Sequence, residues 1–373
     1  MKTINLLDLE KNYSSYRQDK LHGRWITLET ILPLVKNLDP QFKVKKLGQS
    51  SKKRDILSIT FGSGDINILI WTQMHGNEST GTKAVFDLLS FLSNSEKEEL
   101  SVSNIILKRC KIVLIPILNP DGANSYTRVN ANNIDLNRDI IDKKAVETNI
   151  LLNIVQKVNP HYCFNLHDQR VIFSVGKENN PATLSFLAPS IDEKRSITKS
   201  RMDTMKVIVE MNTLLQNLIP NQIGRYTDEF YPTATGDNFQ KMGHNTILIE
   251  SGHYINDYQR EKSREYTFYA LLQGILTVAN QRNNIDFKSY FEIPNNKKEY
   301  LDIIIKDVTF KGKKVDIGVL YIEKLVDNTL KLIPTIDKIR NLSKFNANKI
   351  VKKTGLNFLN KKDMNDWIKK EFL

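Results

Sequence analysis

A histidine and a glutamate three residues apart, in Met74-His75-Gly76-Asn77-Glu78, can present an imidazole nitrogen and a carboxylate to one side of a cleft if they fall at a strand-to-helix turn. Those are two of the three protein ligands that an open, catalytic zinc needs. The spacing alone is common by chance. A third ligand has to come from another strand end, and His167 closes the apolar run of residues 162–166 in that way, although a satisfied polar residue at a strand end would read the same. Hydrolysis at such a metal also needs a carboxylate that is not a ligand, to take a proton from water and pass it on. Glu250, directly after Thr246-Ile247-Leu248-Ile249, is the candidate. Between these residues lie Asn119-Pro120-Asp121-Gly122, Arg128 and Asp135-Leu136-Asn137-Arg138. The first is a turn signal, and each arginine could clamp a carboxylate, stabilise an oxyanion or make a surface salt bridge.

The elements that must position these groups follow from periodicity. The first 40 residues read as helices that stop at Pro40. Residues 56–61 and 66–71 are β-rich, and Gly62-Ser63-Gly64-Asp65 between them reads as a hairpin turn. Val85, Leu88, Leu89 and Leu92 fall at i, i+3, i+4 and i+7, the stripe of a helix packed on a sheet. The apolar runs 112–118, 162–166 and 246–249 look like buried central strands, and Phe268, Leu271, Leu272, Ile275 and Val278 mark the last long helix. Strands alternating with helices predict an α/β class: a mixed central sheet flanked by helices, over residues 1–290. A polar stretch with Pro294, residues 284–298, reads as a linker to a small basic α+β domain over 295–373. There, 300–310 and 315–325 could be strands and 349–372 a weak helix.

Taken together, the ordered set from His75 to Glu250 resembles the zinc carboxypeptidase family of metallopeptidases. The resemblance spans roughly the first 290 residues and rests on H-x-x-E, N-P-D-G, an arginine, D-x-N-R, a strand-end His and a strand-end Glu. It implies one zinc per chain held by His75, Glu78 and His167, with Asp135 orienting His75. It further implies Arg128 as the group that stabilises the oxyanion, Glu250 as the general base for a zinc-bound water, and Asn137 with Arg138 as a buried clamp on the substrate's terminal carboxylate. The family's substrate-contacting tyrosine falls on Tyr231, in Tyr231-Pro232-Thr233-Ala234-Thr235-Gly236-Asp237, with Tyr226 as the alternative. The activity implied is removal of a C-terminal residue from a peptide or peptide-like amide with a free carboxylate. His-Gly-Asn-Glu is also similar to the succinylglutamate desuccinylase and aspartoacylase branch, which implies an N-acyl amino acid deacylase as the alternative.

Composition limits the other classes. The 373 residues carry 54 Lys+Arg against 42 Asp+Glu, a net charge of +12, with 40% hydrophobic residues, as an ordinary globular chain does. From Asn295 onward there are 18 basic and 10 acidic residues, so +8 of that charge lies in the tail. Its lysines are interspersed with acids and follow no nucleic-acid-binding motif, which favours solvated faces over a phosphate track. Cys110 and Cys163 lie in apolar runs and read as buried free thiols. A charged N-terminus without an apolar segment and the lack of a membrane-length apolar stretch predict a cytoplasmic protein with no membrane partner. Oligomeric state leaves no mark in the sequence.

Overall fold

The computed structural model describes residues 3–93, 101–281 and 284–373. Helices α1 (Leu6–Tyr16) and α2 (Leu28–Lys36) lead into β1 (Lys43–Gln49), β2 (Asp55–Phe61) and β3 (Ile66–Trp71). Next come α3 (Thr80–Ser93), α4 (Val102–Arg109), β4 (Cys110–Ile115), α5 (Pro120–Ser125), α6 (Val146–Val158) and β5 (Tyr162–Asp168). Three short strands follow, β6 (Ser174–Val175), β7 (Asn180–Pro181) and β8 (Leu184–Leu187). Then α7 (Lys199–Gln216), β9 (Ile223–Arg225), α8 (Thr235–Lys241), β10 (Asn245–Ser251) and α9 (Glu261–Asn280) complete the larger part. The remainder holds β11 (Tyr300–Phe310), β12 (Lys313–Val326), β13 (Thr329–Arg340), β14 (Asn346–Lys352), β15 (Asn357–Phe358) and α10 (Lys361–Phe372).

Eight strands form the central sheet in the order β1-β2-β4-β3-β5-β10-β8-β9. The middle of it, β4-β3-β5-β10, is parallel, while β1, β2 and β8 join antiparallel. Alternation along β3 shows why the sheet must be covered twice. Ile68 and Ile70 join the core under α3 and α9, whereas Leu69 and Trp71 join a second core with Leu151 and Val155 of α6 and Phe239 of α8. All four are fully buried, and each contributes about 1.5–3 kcal/mol of transfer free energy. The mixed sheet flanked by helices is the architecture expected from the sequence.

Local expectations fare less evenly. β2 and β3 are not a hairpin: β4 lies between them, antiparallel to β2 and parallel to β3. The Gly62–Asp65 turn packs onto the α4–β4 junction instead, with Ser63 N donating to Leu107 O at 2.8 Å. A Cβ on Gly64 would fall into the backbone of Arg109 and Cys110. The polar stretch before the second sheet is also tied down, since Tyr290 is buried with its hydroxyl accepting from Ala188 N at 3.1 Å, and Ser174 N donates to Lys297 O at 2.9 Å. Of residues 349–372 only Lys361–Phe372 is helical, because β14 extends the second sheet parallel to β11.

The second sheet runs β13-β12-β11-β14, with β15 also pairing β11. Its central strand is buried on both sides. Met364 and Ile368 of α10 cover Ile303, Ile305 and Val308 on one face. Ile172, from the larger part, meets Leu301, Ile304 and Leu320 on the other. Polar ties reinforce that contact. Glu323 of β12 pairs with Arg24 and accepts from the Tyr126 hydroxyl at 2.5 Å, Tyr258 donates to Asp302 at 2.9 Å, and His253 Nε2 accepts from Asn348 Nδ2 at 2.7 Å.

Burial, with Arg260 and Arg24 nearby, holds the His253 imidazole neutral and pushes its pKa down to about 3. An unfolded histidine takes up a proton below about 6.5. Between those values the unfolded chain binds one more proton than the folded one, so stability is lost as pH falls from about 6.5 toward 3. Between pH 7 and 5 this single group accounts for about 1–2 kcal/mol. Denaturant titrations at the two pH values are expected to show the loss reduced by that amount in His253→Gln; an identical loss in both proteins would assign the acid sensitivity elsewhere.

Candidate metal centre

The parallel strands β3, β5 and β10 are neighbours, and their carboxyl ends carry the candidate groups. His75 follows β3 by four residues, His167 is the penultimate residue of β5, and Glu250 pairs directly with His167 in the β10–β5 register. The loop after β3 is fixed by the Asn119-Pro120-Asp121-Gly122 turn. Asn119 caps α5 by accepting from Gly122 N at 2.8 Å and donates from Nδ2 to Met74 O at 3.2 Å, the residue before His75. Gly76 packs so closely on this turn that a Cβ there would enter the backbone of Gly122 and Ala123. Asp121 meanwhile accepts from Ser50 Oγ at 2.9 Å and from Arg54 Nη1 at 2.8 Å, which anchors the turn from behind.

His75, Glu78 and His167 come together with their ligand atoms all within 4.8 Å of one another, and all three are buried. Asp135 Oδ1 lies 3.1 Å from His75 Nε2; a carboxylate there fixes the proton on Nε2 and leaves Nδ1 as a lone pair. That Nδ1 faces Glu78 Oε1 at 2.9 Å and His167 Nδ1 at 3.1 Å, while His167 Nδ1 lies 2.8 Å from Glu78 Oε2. Asp168 N also donates to Glu78 Oε2, at 3.1 Å. Burial pushes the Glu78 carboxyl up, but His75 and His167 outweigh it and hold the group well below the usual carboxylate range. Burial lowers His167, keeping it neutral, and Asp135 is held low despite burial by its bonds to His75 and Arg128. Two imidazole nitrogens and a carboxylate facing one another share protons or hold a cation, and two nitrogens with one carboxylate suit zinc better than magnesium or calcium.

Arg128 lies over this cluster. Its Nε donates to Asp135 Oδ2 at 3.0 Å, and Nη1 stands 3.2 Å from His75 Nδ1 and 3.4 Å from Glu78 Oε1. Glu250 sits across the cleft; burial, then the charges of Glu78 and Asp168, push its carboxyl well above the ordinary value. A carboxyl with its proton affinity raised in this way suits general acid–base work. A pocket of about 430 Å³ joins these groups to Asn137, Arg138, Tyr226 and Tyr231. Arg138 stacks over the Tyr231 ring at 5.4 Å, and Asn137 Oδ1 accepts from Thr235 N at 3.0 Å. Arg138 is exposed, however, not buried as the clamp was expected to be. Both tyrosines line the pocket: Tyr231 is 41% exposed at its rim, and Tyr226 lies inside with its phenol raised by burial and by Glu250.

Several lining residues have no role assigned from the sequence. Asp237 lines the pocket near Arg138, its carboxyl raised by burial to about 6. Gln169, Arg170 and Lys298 also line it. The first two simply follow His167 and Asp168, and Lys298 arrives from the stretch read as a linker. Asp168, the residue after His167, accepts from Thr80 Oγ1 at 2.7 Å and so ties β5 to the start of α3.

Residues 28–302 match the family model described as zinc carboxypeptidase. Carboxypeptidase 2 of Trichophyton rubrum is 29% identical over 114 residues, which is 30% of this chain and 20% of that protein. Human carboxypeptidase D is 28% identical over 147 residues, 35% of this chain and 11% of its own length. This chain therefore spans no more than about a fifth of these curated relatives. Among solved structures, a metallo-carboxypeptidase from Burkholderia cenocepacia superposes with a TM-score of 0.53 at 18% identity, covering 67% of each chain. Bovine thrombin-activatable fibrinolysis inhibitor, in complex with tick carboxypeptidase inhibitor, gives 0.54 at 12% identity over 71% of this chain and 99% of that one. At such identities the superpositions show a shared fold.

The geometry brings His75, Glu78 and His167 together as a group that could hold a metal ion, with Glu250 outside it. Elemental analysis after dialysis is expected to find one zinc per chain, lost in His167→Ala and fully retained in Glu250→Gln. Asp135→Asn, which frees the His75 ring, is expected to bind zinc about 10–100-fold more weakly. Full zinc content in His167→Ala would contradict the ligand set.

Proposed function

The chain belongs to the zinc carboxypeptidase family, and on that footing we propose that it hydrolyses the C-terminal amide bond of peptides or peptide-like substrates bearing a free carboxylate. The observation that carries this reading is one pocket lined both by the metal triad with Glu250 and by Asn137, Arg138 and Tyr231. Zinc, when bound, polarises the scissile carbonyl and acidifies a water. The chain's own residues do the rest. Arg138 and Asn137 hold the terminal carboxylate, with the Tyr231 ring beneath the guanidinium. Arg128, beside His75 and Glu78, donates to the oxyanion as it develops on the carbonyl oxygen. The Glu250 carboxylate takes the proton from the attacking water and delivers it to the leaving amine; its raised affinity for protons suits both transfers. Asp135 holds the His75 tautomer throughout.

Because Arg138 is exposed, water screens its pairing with a substrate carboxylate, and the contribution is nearer 1–2 kcal/mol than that of a fully desolvated pair, as a rough figure. Free-acid peptides are therefore expected to be cleaved about tenfold faster, in kcat/KM, than the matching C-terminal amides. Arg138→Ala is expected to erase that ratio by lowering only the free-acid rate. Glu250→Gln is expected to lower kcat by a factor on the order of 10² or more. Equal cleavage of acids and amides by the unaltered protein would remove the exopeptidase reading.

A further inference from the structure

A second pocket, of about 390 Å³, adjoins the first. It shares Glu78, Arg128, Asp168, Gln169, Arg170 and Ile172 with the first, so the two are halves of one cleft, with Glu78 the triad residue common to both. If the terminal carboxylate lies at Arg138 and the scissile carbonyl at Arg128, the chain on the amino side of that bond leads into this second half. Its outer wall is not made by the central sheet. Leu320, Tyr321, Ile322 and Glu323 of β12 form it, brought there by the docking of the second sheet on Ile172 and by the Arg24–Glu323–Tyr126 ties.

The charges in this half do not cancel. Glu323 is engaged by Arg24 and Tyr126, Glu78 belongs to the triad, and Arg128 is paired with Asp135. Arg170 and Arg260 form no ion pair among the described residues. Arg260 is buried, with Nη1 and Nη2 donating to the carbonyls of Ser251 and Gln169 at 2.7 and 2.8 Å and Nε without a partner. Arg24 Nε, likewise buried, has none either. Asp168 is the remaining acid, and one of its oxygens already accepts from Thr80. Asp168 offsets one of the two, so Arg170 and Arg260 leave this half with one net positive charge, and a guanidinium in excess at a cleft attracts a carboxylate.

We propose that the second sheet is part of the substrate site: β12 walls the amino-side half of the cleft, and the arginines there select substrates carrying a carboxylate on the residue or acyl group just before the scissile bond. This rests on the carboxypeptidase reading for the direction in which substrate lies. The test uses acetyl-Xaa-Phe and acetyl-Xaa-Lys free acids with Xaa Glu, Gln or Lys, together with acetyl-Phe and acetyl-Lys, on the zinc-loaded full chain.

Glu is expected to exceed Gln in kcat/KM by about tenfold, and Lys to be slower than Gln. Arg170→Gln, an exposed change at the cleft, is expected to cut the Glu-over-Gln ratio at least threefold. Ile322→Trp, at a position 45% exposed on β12, fills the cleft without entering a core. It is expected to slow the acetyl-Glu substrates about tenfold while sparing the acetyl amino acids. Cleavage that is indifferent to Xaa and to Ile322→Trp, or a preference for Lys, would overturn this proposal and leave the carboxypeptidase reading standing. Failure to cleave any free-acid peptide would overturn both.

Discussion

Four polar atoms, each able to offer a lone pair, face one another in this cleft: Nδ1 of His75, Nδ1 of His167 and both carboxylate oxygens of Glu78. Groups of that kind repel unless a cation or a proton lies among them. Much of the nearby polar structure serves to hold them there. Asp135 keeps the proton on the far nitrogen of His75, Asp168 N–H steadies Glu78, and Arg128 adds positive charge from above. Removing any one would relax a cluster whose geometry suits a metal and little else.

Backbone packing sets where those groups can be. Three adjacent parallel strands end side by side, so His167 and Glu250 are neighbours by register and the loop after β3 closes the third side. That loop can approach only because residue 76 has no Cβ, which lets it rest on the Asn119–Gly122 turn. The turn is in turn anchored by Asp121 on the segment between β1 and β2. Strand pairing, a glycine contact and an asparagine cap thus place the imidazoles to within hydrogen-bond distance of each other, as a catalytic centre requires.

How much of this could be read from the sequence follows from how local each signal is. His167 and Glu250 stand at the ends of short apolar runs, and His75 and Glu78 follow another within seven residues, so all four are marked in one dimension. The buried strands of the sheet's centre were legible for the same reason. The hairpin misreading of residues 62–65 arose because strand adjacency is not local: a glycine-rich turn looks the same whether its strands pair or admit β4 between them. The exposure of Arg138 depends on the fold around it, and the motif holds no trace of that. Least legible was the contribution of β12, because Glu323 meets Arg24 and Tyr126 across some 300 and 200 residues of chain. Nothing in its own strand marks it as anything but solvated charge.

The account stands on the cation site itself, and anomalous diffraction at the zinc absorption edge from crystals of the zinc-loaded protein examines it directly. A single strong peak bounded by His75 Nδ1, His167 Nδ1 and the Glu78 carboxylate, with Asp135 still on His75 Nε2, is the predicted result. A peak elsewhere in the molecule, or none at that position in crystals shown by fluorescence to contain zinc, would contradict it.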